Sequence, residues 1–184
     1  MGTRGAYGFY SNGVTKVTYN HFDSYPSNLG VIMLEYCKKF KKEEMVDVFD
    51  RFYFVNENEK PSLEEQVRFV EYWDQNVSEG DDWYSLLRNL QGNPFDWHSI
   101  KGYIPMSNGE SFLQDSLFCE WAYIINFDTD KLEIYKGFQK EPGKGRYQLK
   151  EYDERKYHPV SLIAEMDFNS ELSVMINLEK DEEE

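Results

Sequence analysis

The sequence contains few of the residues that build covalently linked or metal-bound frameworks. Its only two cysteines, Cys37 and Cys119, lie far apart and outside any CxxC pattern, so neither a disulfide framework nor a zinc knuckle is expected. No apolar run approaches the ~20 residues that a membrane-spanning helix needs, and no basic and apolar signal peptide opens the chain. These absences predict a protein of the reducing cytoplasm, or of the host cytoplasm if a phage encodes it, with no membrane partner.

Positive charge is also scarce. The 184 residues carry 20 lysines and arginines against 34 aspartates and glutamates, a net charge of −14. A negative surface repels phosphate backbones, because nucleic-acid affinity comes largely from Lys and Arg displacing counterions. The basic run at residues 38–42 is followed at once by Glu43 and Glu44 and is typical of cations at a helix C-terminus. Direct nucleic-acid binding is therefore disfavoured, and the partners expected are a small molecule or a basic protein.

Aromatic residues, in contrast, are abundant, at 17% of the sequence. Each buried ring removes roughly 150–250 Å² from water, so we expect much of the core to be built from rings. A chain of this length buries about 70% of its unfolded surface and needs no metal or disulfide to hold its core. We expect one globular domain over residues 1–180 and a disordered acidic tail over residues 181–184.

A first β-hairpin is predicted over residues 4–20. Both arms are rich in β-branched and aromatic residues, and Asn12-Gly13 lies in the turn between them. Gly5 and Gly8 weaken the first strand, which favours the close approach of another backbone or of a ligand at these positions.

A second hairpin is predicted over residues 118–137, around a turn at residues 128–130. Three or four helical stretches separate the two hairpins, and one of them begins with a capping box formed by Ser62 and Glu65. The residues that this helix is predicted to turn inward are Leu63, Val67, Val70 and Trp73. The predicted fold class is α+β, an antiparallel sheet built from at least two hairpins with three or four helices packed against it.

The densest chemistry lies in residues 18–26, where polar groups are set between aromatic rings. If the second strand continues through this segment, His21 and Asp23 share one face, and the carboxylate fixes the imidazole tautomer for general-base work. The same pair offers two metal ligands, but the sequence shows no third, and no metal site is predicted. The alternative is a strand-to-helix corner, in which Asp23 or Ser24 caps a turn and Pro26 fixes φ.

Covalent catalysis needs a nucleophile, and Cys119 is the candidate because it precedes an apolar strand that can face a pocket. With His21 as its base it would form a cysteine–histidine pair, which rests on no spacing rule. No cofactor is predicted. The catalytic candidates are thus His21, Asp23 and Cys119. The residues predicted to bind a ligand beside them are Arg4, Asn20, Tyr25, Trp83, Arg88 and Glu120.

Several blocks of the sequence resemble a family of uncharacterised proteins associated with bacteriophages, bacteria and some fungi. The first two carry the motifs MGTRG and YNHFDSYP, and Phe22 stands where many relatives carry Trp. The resemblance spans most of residues 1–137 and implies no particular activity. The matching blocks are residues 1–5, residues 19–26 with Gly30, residues 83–92 and residues 116–128.

The order of the elements is also similar to that of Ntn-hydrolase-like proteins, which open with a short strand that bears the nucleophile. Such a nucleophile is a Cys, Ser or Thr with a free amino group. Removal of Met1 would expose Gly2 and leave Thr3 one residue inside. The resemblance therefore implies either further processing or the fold without that catalysis.

Three hypotheses of function follow. The first is a small-molecule pocket around residues 19–26, which is either hydrolase-like or binds without reaction. The second is an acidic interaction protein, of the anti-defence or DNA-mimic type, that inhibits a basic host or defence protein. The third is a structural domain without a site. The first hypothesis predicts a concave pocket that holds His21 and Asp23 beside Arg4, and the second predicts carboxylates gathered on one face.

Overall fold

The computed structural model describes residues 2–77, 82–148 and 157–180, and the predicted acidic tail lies outside them. The described strands are β1 (Gly5–Ser11), β2 (Val14–Asn20), β3 (Phe52–Val55), β4 (Ile104–Ser107), β5 (Trp121–Asn126), β6 (Lys131–Lys136) and β7 (Ser161–Asp167). The described α-helices are α1 (Val31–Lys39), α2 (Lys42–Arg51), α3 (Leu63–Arg68), α4 (Trp83–Leu86) and α5 (Leu172–Lys180). A π-helical turn at Pro26–Gly30 leads into α1, and short 3-10 turns lie at Val70–Tyr72, Arg88–Leu90, Pro94–His98 and Ser111–Gln114.

The described residues form a five-stranded sheet in the order β2-β1-β5-β6-β7. Both predicted hairpins are present, as β1–β2 and β5–β6, and β7 extends the second one in antiparallel pairing. The hairpins meet through β1 and β5, which pair in parallel from Gly5 with Trp121 onward. A smaller parallel pair, β3 and β4, lies beside this sheet. The α+β prediction is confirmed, with a mostly antiparallel main sheet.

Local chemistry explains the first hairpin. Asn12 and Gly13 both have positive φ, 48° and 81°, the conformation of a turn whose twist matches the flanking strands. The predicted close approach at Gly5 is also found. A Cβ there would lie 2.5 Å from the carbonyl oxygen of Trp121 and 2.6 Å from Cβ of Ser24, so the parallel pairing and the chain that follows β2 both require glycine.

The core lies on both faces of the sheet, and all six residues of β5 are buried. One face carries a large aromatic cluster, in which Tyr7 stacks on Trp97 at 5.2 Å and Phe9 stacks on Phe127 at 5.3 Å. Helix α1 covers this face and contributes Met33 among other residues. The opposite face carries a smaller cluster that includes Cys119. Strand β5 is therefore the central strand of the molecule.

A buried ion pair completes the second face. Glu133 is 2% exposed, and its carboxylate accepts hydrogen bonds from both terminal nitrogens of Arg146, from Nδ2 of Asn126 at 2.7 Å and from the hydroxyl of Tyr135 at 2.9 Å. The Arg146 guanidinium also lies 3.7 Å from the ring centre of Tyr10. Burial and the Glu133 carboxylate raise the pKa of Tyr135, so its hydroxyl stays protonated and donates. We call these five residues the Glu133 network.

Helix α3 differs from its prediction. Its capping box is present, since Ser62 Oγ accepts from the backbone N–H of Glu65 and the Glu65 carboxylate accepts from that of Ser62. The inward orientation is wrong for Leu63, Val67 and Val70, which are 78%, 75% and 55% exposed. It is right for Trp73, which is partly buried against the main core. The buried anchor is Phe69, the residue that directly follows α3. Helices in the described part of the chain lack the length and apolar character that a membrane span needs.

Candidate functional site

The predicted strand-to-helix corner is built around a buried asparagine. Strand β2 ends at Asn20, which is 1% exposed. Its Nδ2 donates to Oγ of Ser24 at 2.9 Å and to the carbonyl oxygen of Phe22. The backbone of Ser24 is held in turn by Thr3, through a bond of 3.0 Å, and by the hydroxyl of Tyr123, at 2.9 Å. Asn20 therefore fixes the shape of the corner, and its Oδ1 is buried without a hydrogen-bond partner.

The end of β2 at Asn20 changes the surroundings of His21. The segment bends after the strand, and among the described contacts no hydrogen bond joins His21 to Asp23. Instead Nδ1 of His21 lies 2.8 Å from the hydroxyl of Tyr19, and its backbone N–H donates to Oε1 of Gln91 at 3.1 Å. Tyr19 thus takes the orienting role that the sequence suggested for Asp23.

Arg88 lies beside this histidine and is nearly inaccessible, at 6% exposure. One terminal nitrogen donates to the Tyr84 hydroxyl at 3.1 Å and to Oε1 of Gln91 at 3.2 Å. The guanidinium carbon lies 4.4 Å from the ring centre of Phe22. Its Nε is buried without a hydrogen-bond partner, and within the described residues no carboxylate forms an ion pair with it. The neighbours of this buried cation are therefore neutral oxygens and aromatic rings.

Arg4 is the second cation at this corner. Its guanidinium lies 4.6 Å from the ring centre of Phe118, and its backbone N–H donates to Oε1 of Glu120 at 3.3 Å. In the described ion pairs no carboxylate is paired with the Arg4 side chain either. Burial, then the charges of Arg88 and Arg4, lower the pKa of His21. Both guanidinium charges thus act on the imidazole, in addition to the larger effect of burial.

The same two arginines act on Tyr19. Burial and then Tyr84 raise the pKa of its phenol, Arg4 and Arg88 oppose that rise, and the Glu57 carboxylate adds to it. Both cations therefore lie within electrostatic range of the Tyr19–His21 pair. We call the group the cationic cluster; its members are Arg4, Tyr19, His21, Phe22, Tyr84, Arg88 and Gln91.

A small cavity of about 20 Å³ lies under the cluster. Tyr84 and Gln91 belong to both, and the hydroxyl of Tyr7 marks the floor, where it accepts from the N–H of Gly92 at 2.8 Å. The remaining lining residues are Thr18, Leu87, Leu90, Trp97, Pro105, Met106 and Ser107. This volume has room for about one water molecule.

The other predicted site residues lie elsewhere or take other roles. Cys119 is fully buried, its thiol donates to the carbonyl oxygen of Trp121 at 3.6 Å, and burial raises its pKa, so it is a neutral core thiol. Trp83 is 5% exposed and packs near the ring of Phe69. Asp23 and Tyr25 are exposed on the outside of the corner. The structure thus brings together Arg4, His21 and Arg88, with Glu120 at the edge.

Sequence reasoning missed Tyr19, Phe22, Tyr84 and Gln91 as members of the site. One signal was present, since Tyr84, Arg88 and Gln91 recur at the spacing of one helical face. The described part of the chain contains no group of three or more His, Cys, Asp or Glu that could hold a metal ion.

Comparison of the chain with protein-family models, with curated proteins and with solved structures finds no match. The resemblance to a phage, bacterial and fungal family and the similarity to Ntn-hydrolase-like proteins therefore stay predictions.

Proposed function

We propose that the protein binds a small anionic molecule, through a phosphate or carboxylate group, at the cationic cluster. The observation that carries the proposal is Arg88, a guanidinium that is 6% exposed, has a partnerless Nε and lacks a described counter-charge. This is the small-molecule pocket around residues 19–26, with the chemical class of its ligand now specified.

Energetics favour an anion at this position. Removing a guanidinium from water costs several kcal/mol, and neutral hydrogen bonds offset only part of that cost. Tyr84 and Gln91 are neutral and supply no compensating charge. The rings of Phe22 and Tyr84 stabilise the cation by about 0.5–2 kcal/mol each at most. An anion beside Arg88 supplies the missing negative charge and accepts a hydrogen bond from the free Nε–H.

Access to the cluster comes from the exposed side of the corner. His21 is exposed and Arg4 is partly exposed, whereas Phe22, at 47% exposure, covers Arg88. An incoming anion thus meets His21 and Arg4 first, and it reaches Arg88 fully when the Phe22 ring turns aside. The small cavity shares Tyr84 and Gln91 with the cluster, but Arg4, His21 and Arg88 do not line it, so the anion is placed at the exposed side of the corner.

The geometry supports binding more directly than it supports a reaction. A reaction here would use His21 as the acid or base, with the Tyr19 hydroxyl as its orienting partner at 2.8 Å. Binding of an anion requires only the two arginines and the imidazole.

The pKa of His21 tests the proposal, because a bound anion stabilises the imidazolium. Burial, and then the charges of Arg88 and Arg4, lower the pKa of His21. We expect inorganic phosphate to raise this pKa by roughly half a pH unit or more relative to chloride at equal ionic strength. The measurement is an NMR titration of the three histidine ring signals. His98 and His158 serve as internal references.

Two variants make the test specific. Arg88→Gln removes the buried cation, and we expect it to abolish the effect of phosphate and to raise the His21 pKa in its absence. Arg68→Gln is the matched control, because the Arg68 guanidinium is held by the carbonyl oxygens of Lys101 and Tyr103 on another part of the surface. An equal response of His21 to phosphate and chloride, or an unchanged response in Arg88→Gln, would overturn the proposal.

A further inference from the structure

A second surface of the molecule carries an apolar stripe that nothing in the described structure covers. Leu63, Val67 and Val70 are 78%, 75% and 55% exposed. They recur at i, i+4 and i+7, so they share one face of α3 and the turn that follows it. Single exposed apolar residues are ordinary, but a contiguous row of them marks an interaction site.

The opposite side of α3 is firmly attached to the protein. Phe69 is 1% exposed, and Oε1 of Glu65 accepts from the Tyr53 hydroxyl at 3.4 Å. Arg68 donates to the carbonyl oxygen of Tyr103 at 2.7 Å. The helix is therefore held with its apolar stripe outward, and the exposure does not come from a detached segment.

Carboxylates border the stripe. Glu64 lies in the first turn of α3 and Glu71 in the 3-10 turn that follows the helix, about two turns further along, and both are exposed. Beyond Glu64 lies an open groove of about 500 Å³, whose aromatic walls are Tyr53 and the 69% exposed Tyr103. The groove is also lined by Glu65 and by Arg68, whose guanidinium is held by the carbonyl oxygens of Lys101 and Tyr103. We call the apolar stripe together with Glu64, Glu71 and this groove the α3 surface.

We infer that the α3 surface docks a basic amphipathic helix of a partner protein. The apolar face of such a helix covers Leu63, Val67 and Val70, and its lysines or arginines meet Glu64 and Glu71. An anionic membrane is disfavoured because these carboxylates and the net charge of −14 repel it. A second copy of the chain is disfavoured because paired stripes bring the same carboxylates together.

This surface gives a location to the hypothesis of an acidic interaction protein, and it is separate from the cationic cluster. The two proposals share no residue, so each can fail without the other.

A model peptide tests the docking. The probe is a fluorescein-labelled helical peptide of about 18 residues, built from leucine and lysine, and its binding is followed by fluorescence anisotropy. We expect Leu63→Ser/Val67→Ser to weaken binding at least about tenfold, since both side chains lose their apolar contact. Glu64→Gln/Glu71→Gln is expected to weaken binding and to reduce its dependence on salt.

Matched controls separate this surface from general attraction between opposite charges. Ile163→Ser/Val174→Ser removes apolar side chains of 43% and 48% exposure from β7 and α5, and it is expected to leave binding unchanged. A peptide of leucine and glutamate is expected not to bind. Equal losses in test and control variants would overturn the inference, as would absence of binding up to about 1 mM.

Two further measurements decide between the occupants. Sedimentation that shows a dimer, lost in Leu63→Ser/Val67→Ser, would overturn the inference in favour of a second copy. Binding of this protein to phosphatidylserine vesicles, lost in the same variant, would overturn it in favour of a membrane. A monomer that ignores vesicles and binds the leucine–lysine peptide supports it.

Discussion

The Glu133 network allows a sharp test of how much a buried ion pair contributes to the stability of this protein. In Arg146→Met the pairing cation is lost, while the Glu133 carboxylate stays 2% exposed with two neutral donors, Asn126 and Tyr135. Breaking a buried pair from one side costs about 3–5 kcal/mol. This range of roughly 3–5 kcal/mol includes the loss of the contact between Arg146 and the ring of Tyr10, which is 3.7 Å long.

A second substitution isolates the charge. Glu133→Gln in the Arg146→Met background removes the buried charge but keeps a carbonyl oxygen for Asn126 or Tyr135. We expect this double variant to recover about 2 kcal/mol relative to Arg146→Met alone. Glu133→Gln by itself is expected to cost less than Arg146→Met, because the Arg146 side chain is 25% exposed and can turn towards water.

Urea unfolding followed by tryptophan fluorescence measures all three variants against the parent protein. A loss of about 3–5 kcal/mol lowers the melting temperature by roughly 10 °C in a chain of this size, which gives an independent check. The reasoning is refuted if Arg146→Met costs under about 1 kcal/mol, or if the double variant is no more stable than Arg146→Met.

Two other predictions follow from packing. Gly5→Ala places a methyl group 2.5 Å from the Trp121 carbonyl oxygen and is expected to cost about 3 kcal/mol in urea unfolding; in Gly2→Ala the nearest atom is 3.4 Å away, and a similar loss there would contradict the steric argument. Cys37 and Cys119 are 4% and 0% exposed, with pKa values raised by burial, so neither thiol is expected to react with Ellman's reagent until urea unfolds the protein. Fast labelling of Cys119 in the folded state would reopen its role as a nucleophile.

Local features could be predicted from the sequence because their causes are local. Asn12 and Gly13 fix the first turn through their own backbone preferences, and Ser62 and Glu65 start α3 through bonds three residues apart. The prediction failed on the orientation of α3, because a periodic apolar row identifies a face but not what covers it. The prediction from the sequence also did not include β7 and α5.

The candidate site was found only in part for a similar reason. His21, Arg4 and Arg88 were all chosen from the sequence, but Asp23 was paired with His21 on the condition that β2 continued. The strand ends at Asn20 because that side chain bonds to Phe22 and Ser24, contacts that residue type alone does not specify. Gln91, which joins His21 to Arg88, depends on the packing of distant segments.

The parallel pairing of β1 with β5 has a consequence for how the chain folds. Strand β1 cannot pair with β5 until the segment that begins at Trp121 has been synthesised. The N-terminal hairpin therefore emerges from the ribosome with the β1 edge unpaired. Contacts between such distant segments slow folding, because the chain loses the entropy of closing the long loop before the contacts can stabilise it. An unpaired edge is also the part of a nascent sheet that pairs wrongly with other chains. During synthesis of this protein there is therefore an interval in which the unpaired edge of β1 is open to aggregation.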